Sequence, residues 1–265
     1  MKIENRDQNQ INLLKGQILK MVFSAKEGHI PSAFSILDIL FVLYRDVLRF
    51  DSVNPKAVDR DIFVLSKGHA GAALYAVLGH FNFFSSELLD SYCKSGSLFG
   101  GHPDALKVPG VEVSSGSLGH GIAMATGIAT AIKQKGQDRR VFVLVGDGEM
   151  DEGSFWESIM LIRNLNLKNL VLIADFNKSQ KYSFNYDYAN ILKAFGWSVK
   201  DINGHDHNEI LKALQEPNRM NQREPHFILA HTVKGQGIKR FLGEHAWHRR
   251  TPTETELSEL ISELE

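Results

Sequence analysis

Two residues at the ends of apolar runs carry the clearest chemical signal. Asp147 follows Val141–Val145 inside Gly146-Asp147-Gly148, and Asn177 follows the run 170–176, thirty residues after Asp147. Runs that are continuously apolar rather than alternating read as strands covered on both faces, as in a parallel sheet under helices. Ligands of open α/β sheets gather in the crevice past the carboxyl ends of such strands. The interval from Asp147 to Asn177 is that of one βαβ unit, which would aim a carboxylate and a carboxamide at one point. Both are hard oxygen donors. Mg²⁺ commonly takes one or two carboxylates and fills its octahedron with phosphate oxygens, backbone carbonyls and water. A diphosphate bridged to protein by Mg²⁺ is therefore the guest this pair suits. Taken alone, Gly-Asp-Gly also fits an ordinary strand-to-helix turn with Asp147 as its cap; the spacing to Asn177 is what argues for more.

Histidines give the second signal. His29 in "EGHIP", His69 in "SKGHA", His102 in "GGHPD" and His248 in "AWHRR" lie in short polar stretches, three of them beside Gly or Pro, and none falls on an apolar helical stripe. Any one of them alone reads as a solvated loop histidine. Together they would suit hydrogen bonding to hydroxyls, holding phosphate and moving protons near neutral pH. Their spacing is not that of a His-Glu-x-x-His zinc site. The acids Glu149, Asp151 and Glu152 fit either a helix N-terminus that they neutralise or, for Glu152 above all, a functional place.

The elements that must position these residues follow from periodicity. Ile11, Leu14, Ile18 and Val22 recur at helical spacing up to Gly28, and Ile36, Ile39, Leu40, Leu43 and Val47 do so after Pro31-Ser32. Strands are expected at Ile62–Leu65, 141–145, 170–176, 196–202 and 226–232. Helices are expected over the small residues of "IAMATGIATAIKQKG", at Phe155–Asn164, near 188–195 and near 207–215. That alternation is the rhythm of a parallel sheet with helices on both faces, an α/β fold. The Gly-, Pro- and Ser-dense stretch 99–121 is too long for a simple connector and reads as functional. The tail has Thr251 as a candidate N-cap, Pro252 at the first helical position and Glu254 closing a capping box, so a short helix is expected over 252–264.

Composition bounds the rest. The 265 residues, 43% of them hydrophobic, suffice for one α/β core, and a single domain over 1–265 is expected. Thirty Lys and Arg balance 31 Asp and Glu, which argues against nucleic acid as a partner. One cysteine, Cys93, excludes an internal disulfide framework and suits the cytoplasm. The polar start "MKIENRDQNQ" does not resemble a signal peptide, and no apolar run approaches the length of a membrane span.

The motifs together resemble transketolase. "GDGEMDEG" with "DFNKSQ" following resembles the thiamine diphosphate motif, and "GHIPSAFSILDIL", "RDIFVLSKGHA", "GGHPD", "SSGSLGHGIAMATG", "FGWSVKDINGHD" and "HTVKGQGI" with "AWHRRTP" extend the likeness from about residue 11 to 252. It covers only the N-terminal, diphosphate-binding part of a full-length transketolase, and so resembles the N-terminal subunit of a split, two-chain enzyme. The resemblance implies the thiamine diphosphate-binding fold and transfer of a two-carbon ketol unit from a ketose or ketose phosphate to an aldose. It implies thiamine diphosphate with Mg²⁺, or Ca²⁺ or Mn²⁺ as substitutes. Asp147, Asn177 and the backbone carbonyl of Ser179 would hold the metal; Gly148 and Glu149 would lie at the diphosphate; Gly116 and Leu118 would meet the aminopyrimidine. His69 and His248 would approach the diphosphate and thiazolium. His29, His102 and His248 would contact the sugar, and Glu152 would touch the partner's cofactor-activating Glu.

In one place the chain departs from the pattern: Pro31-Ser32 stand where the family usually has Gly-Gly, near its sugar site, so donor or acceptor range is expected to differ. The implied partner is a C-terminal subunit bearing the pyrimidine-binding domain, in an assembly of two copies of each chain, since after "AWHRRTP" there is too little sequence for another α/β domain. Two other readings stay open. One is a non-catalytic or regulatory thiamine diphosphate-binding subunit, against which stand intact Asp147, Asn177, His69 and His248. The other is a subunit like the α chain of a 2-oxoacid dehydrogenase E1, which does not usually carry "SKGHA", "GGHPD" and "AWH" together.

Overall fold

The computed structural model describes residues 2–178, 186–216 and 224–264, without the side chains of 2–6 and 245. Two helices open the chain, α1 (Lys2–Ala25) and α2 (Ile30–Val42), and α2 runs on through a wide π turn at Leu43–Val47. Then come β1 (Ile62–Leu65), α3 (Gly71–His80), α4 (His120–Gln134), β2 (Val141–Gly146), α5 (Gly153–Asn164), β3 (Leu170–Phe176), α6 (Tyr188–Ala194), β4 (Ser198–Asn203), α7 (His207–Gln215), β5 (His226–His231) and α8 (Glu254–Ser262). Among the described residues no helix is long and apolar enough to cross a membrane.

The five strands are all parallel, in the order β1-β2-β3-β5-β4. Side chains alternate along a strand, so each apolar run supplies two cores. Phe142, Leu144, Val171 and Ile173 pack with α1, α2, α3, α7 and α8 on one face. Val141, Val143, Val145, Leu170 and Leu172 pack with α4, α5 and α6 on the other. Burial on both faces is why these strands read as unbroken apolar runs. Residues 99–119 contain neither helix nor strand, as their Gly, Pro and Ser content implied. Small residues let α4 begin against the end of β1: a Cβ on Gly121 would overlap the Ser66 side chain.

The C-terminal helix starts two residues later than its sequence signature suggested. Thr253, not Thr251, is the N-cap: its Oγ1 accepts the Glu256 N–H at 3.3 Å while Glu256 Oε2 accepts the Thr253 N–H at 2.9 Å. The Thr-x-x-Glu spacing occurs in both registers. The one observed starts the helix at Glu254 and buries Leu260 completely and Leu264 nearly so in the core that α1 shares.

One ion cluster fastens α2 to α7. Asp38, 5% exposed, accepts from His205 Nδ1 at 2.8 Å and from His207 Nε2 at 2.9 Å, and His207 Nδ1 lies 3.4 Å from Asp7 Oδ2. Burial pushes the Asp38 carboxyl up, but the two histidine bonds prevail and hold it at about 2. For His207 burial favours the neutral ring, and the hydrogen bonds and charges of Asp38 and Asp7 outweigh it, so its pKa lies above the ordinary 6.5. A histidine whose folded pKa is raised contributes stability that is full below its unfolded value and is lost as pH rises through the folded one. The melting temperature is therefore expected to fall as pH rises from 6.5 through the raised value, and His207→Gln is expected to flatten that limb. Parallel melting curves for the two proteins against pH would refute the linkage.

Candidate cofactor site

The carboxyl ends of β1, β2, β3 and β5 converge on one cavity of about 460 Å³. β1 passes into Ser66-Lys67-Gly68-His69 and β2 into Asp147-Gly148-Glu149; β3 is followed by Asn177, and β5 by Thr232-Val233-Lys234. Lys67, His69, Asp147, Gly148, Glu149, Asn177 and Lys234 all border the cavity. His29 at the start of α2, His102, Gly116 and Leu118 from the long irregular stretch, and His248 close it. Every site residue expected from sequence is thus at this cavity except two. Glu152 is exposed at the start of α5, beside Gly119 and off the cavity wall. Ser179 lies outside the described residues.

Three of the four histidines form one cluster. The ring centroids of His29 and His69 are 5.2 Å apart, those of His29 and His248 5.1 Å, and those of His69 and His248 6.0 Å, each pair edge to face. Burial, then the charge of neighbours, lowers His29 to about 4 and His69 to about 2. Both are therefore neutral imidazoles near pH 7, each with one nitrogen to donate and one to accept. Lys234 Nζ donates to Nδ1 of His248 at 3.0 Å, which makes that nitrogen an acceptor. The fourth ring packs against the backbone opposite: a Cβ on Gly116 would lie 3.2 Å from His102 Cδ2.

At the other pole sit Asp147 and Asn177. β2 and β3 pair in a register that sets Gly146 against Asp175, so the residues just past them leave adjacent strands side by side. Asp147, 8% exposed, accepts the Gly148 N–H through Oδ1 at 2.9 Å. Asn177 donates its amide N–H to Asp175 Oδ2 at 2.8 Å, so its donor end is turned to the protein. Among the described residues there is no cluster of three or more His, Cys, Asp or Glu able to hold a metal. A cation at this pole would take two side-chain oxygens from the chain and the remainder from backbone, water and its ligand. That donor set fits Mg²⁺ bound with a phosphate group. Lys234 adds a basic group to the same cavity, its pKa lowered by burial and then by Lys67.

Beneath both poles lies a polar hub that the spacing of motifs does not announce. Asp175 is fully buried, and Lys67 is 3% exposed. Lys67 Nζ pairs with Asp175 Oδ2 and also donates to Ser32 O at 3.0 Å and to Ser35 Oγ at 3.1 Å. Ser35, Thr232 and Asn177 donate to the same Asp175 carboxylate. Burial pushes that carboxyl up, and Lys67 with the hydrogen bonds more than reverses it. A buried pair of this kind is kept only when its remaining lone pairs and protons are satisfied, as here. A signal for it exists in the sequence: one acid in the otherwise apolar "LVLIADF" needs a partner. Lys67, Lys234 and Arg249, which also borders the cavity, give none, because a lysine or arginine in a loop is ordinarily solvated. Ser32, the departure noted above, is buried and at the cavity wall, and its carbonyl is one of the Lys67 acceptors.

Comparison with known proteins agrees with this geometry. Residues 6–264 match the family model described as transketolase, thiamine diphosphate binding domain. One of the two chains of an apulose-4-phosphate transketolase from Phocaeicola vulgatus is 37% identical over 254 residues, spanning 94% of this chain and 90% of that one. A subunit of a 6-deoxy-6-sulfo-D-fructose transketolase from a Clostridium species is 34% identical over 97% of this chain and 96% of its own. Transketolase from Campylobacter jejuni superposes with a TM-score of 0.89 at 33% identity, over 97% of this chain and 42% of that one. The chain spans about two fifths of such full-length transketolases and nearly all of the subunits. It belongs to the transketolase family, as the thiamine diphosphate-binding N-terminal domain.

Proposed function

We propose that this chain is the cofactor-bearing subunit of a two-chain transketolase, moving a two-carbon ketol unit from a ketose phosphate or related sugar to an aldose in the cytoplasm. The observation that carries the reading is the convergence, in one cavity, of a hard-oxygen pair, Asp147 and Asn177, with the three imidazoles of His29, His69 and His248. Asp147 and Asn177 would hold Mg²⁺, with the Ser179 carbonyl as a third ligand. The Gly148 N–H and Lys234 would face the diphosphate, and the backbone of Gly116 and Leu118 the aminopyrimidine. When bound, thiamine diphosphate supplies the nucleophilic carbon and the electron sink for breaking and making the carbon–carbon bond.

The chain's own residues bind, orient and move protons. His29 and His69, neutral because they are partly buried among other bases, can accept a hydroxyl proton at one nitrogen and return it without first losing one of their own. His248, held by Lys234 on Nδ1, has its ring orientation set from behind. The Pro31-Ser32 step at the start of α2 puts a buried serine by the cavity and favours a donor or acceptor range of its own. The two similar subunits are each named for an anionic sugar, which supports an anionic sugar as substrate here.

The test is ketol transfer by the assembled enzyme, with His69→Ala and His248→Ala beside it. Neither ring belongs to the two apolar cores, so each variant is expected to lose turnover by more than about tenfold, the range of positioned acid–base groups, with little change in melting temperature. Full activity together with a large melting shift would assign these rings to structure and remove them from the mechanism.

A further inference from the structure

Glu149 borders the cavity, yet both its oxygens are occupied by donors of the chain itself. The residue is 1% exposed. Its Oε1 accepts the Gly119 N–H at 2.9 Å and the Ser66 hydroxyl, and its Oε2 accepts the Gly146 N–H at 3.3 Å. Each donor belongs to a different segment of the site. Ser66 immediately precedes Lys67 and is three residues from His69; Gly146 immediately precedes Asp147 and Gly148; Gly119 immediately follows Leu118 and is three residues from Gly116.

We infer that Glu149 is a positioning residue for the cofactor site, its carboxylate tying the β1 turn, the β2 turn and the segment before α4 into one geometry. The assignment rests on the cofactor reading above. It differs from a ligand role, because the carboxylate acts through Ser66, Gly119 and Gly146 rather than on the bound molecule.

The packing around it shows how closely these segments meet. Gly119 has a φ of +77°, and a Cβ there would overlap Ser154 Oγ; a Cβ on Gly121 would overlap Ser66; and one on Gly68 would come within 2.9 Å of the Gly116 backbone. The β1 turn and the segment before α4 therefore touch at glycines, where a larger side chain would force them apart. A carboxylate is the group that accepts on two oxygens from donors in different directions without offering a proton of its own. Burial pushes its carboxyl pKa up, the Ser66, Gly119 and Gly146 donors oppose that, and Glu152 adds to the rise. The three donors thus offset part of what burial costs the charged form.

The experiment measures thiamine diphosphate binding with Mg²⁺ by calorimetry, and steady-state kinetics, on the assembled two-chain enzyme. Glu149→Ala removes the acceptors and Glu149→Asp withdraws them by a methylene. Both are expected to weaken cofactor binding by about tenfold or more, the loss typical of removing a partner one shell out from a ligand. The apparent KM for cofactor should rise by the same factor, while KM for the sugar stays in place. Glu149→Gln keeps an acceptor for Gly119 and Ser66 and should restore most of the affinity. Ser66→Ala deletes one of the three donors, and should shift affinity in the same direction by less, which keeps the test decisive should the Ala variant not fold. Cofactor affinity at the wild-type value in the Asp and Ser66 variants, whatever their melting temperatures, would overturn the positioning role. Wild-type enzyme that binds no thiamine diphosphate with Mg²⁺ would overturn the cofactor reading instead.

Discussion

Asp147→Ala is expected to abolish Mg²⁺-dependent binding of thiamine diphosphate while leaving the fold in place. Asp147 supplies the one negative charge of the proposed metal pole, and Asn177 beside it offers only a neutral oxygen. Mg²⁺ gives up water reluctantly and is held at sites of this kind by one or two carboxylates together with phosphate oxygens, so removal of the sole carboxylate takes away most of what the chain contributes. The loss should exceed the roughly 100-fold that disturbing an outer-shell partner costs. Structure should survive, because Asp147 lies past the end of β2 and belongs to neither apolar core. Asp147→Asn, which keeps an oxygen without its charge, should fall between. Calorimetric titration with cofactor, in the presence and absence of Mg²⁺, reads the difference directly. An Ala variant that binds as tightly as wild type would remove Asp147 from the metal site.

Much of the scaffold was readable from spacing alone. The apolar runs 141–145 and 170–176 gave two adjacent parallel strands because both of their faces are covered. Their ends placed Asp147 and Asn177 next to each other, as a βαβ interval implies. The histidines were legible as a group through their polar settings, though no rule of spacing puts His29, His69 and His248 around one point. That convergence comes from long-range packing, the start of α2 and the 245–248 turn meeting over the end of β1. Least legible were the groups whose chemistry is consumed by other protein groups. Lys67 and Asp175 neutralise each other out of sight of water, and Glu149 reads as one of three surface acids until its partners are known. The two competing Thr-x-x-Glu registers at α8 show the same limit at the scale of a single turn: local signals tie, and burial of Leu260 chooses.

A second expected result concerns the chain as a whole: alone it should show no ketol transfer, and it should gain that activity on mixing with a second polypeptide. The relatives it matches nearly end to end are named as subunits, whereas the matching region is only 41% of human transketolase. The surface around the cavity is unfinished in the manner of an interface. Leu118, at the cavity wall, is 36% exposed; Met124 on α4 and Met160 and Leu161 on α5 are exposed nearby in sequence. The outward positions Ala123, Gly127 and Ala131 of α4 are small and uncharged, so a partner could approach its backbone closely. Glu152 is exposed off the cavity, and an acid there has work to do only if a second surface arrives. We propose that this surface is the pyrimidine-binding domain of a C-terminal subunit, bringing the Glu that activates the cofactor, in a two-fold symmetric assembly with two copies of each chain. The assay compares ketol transfer by this chain, by the partner and by their mixture, with sedimentation or light scattering to count the copies. Glu152→Ala should then weaken assembly or activity of the mixture while leaving the isolated chain's melting temperature unchanged, since its carboxylate is exposed. Sustained turnover by this chain alone at low concentration would show that the site is complete within it, and the two-chain reading would fall.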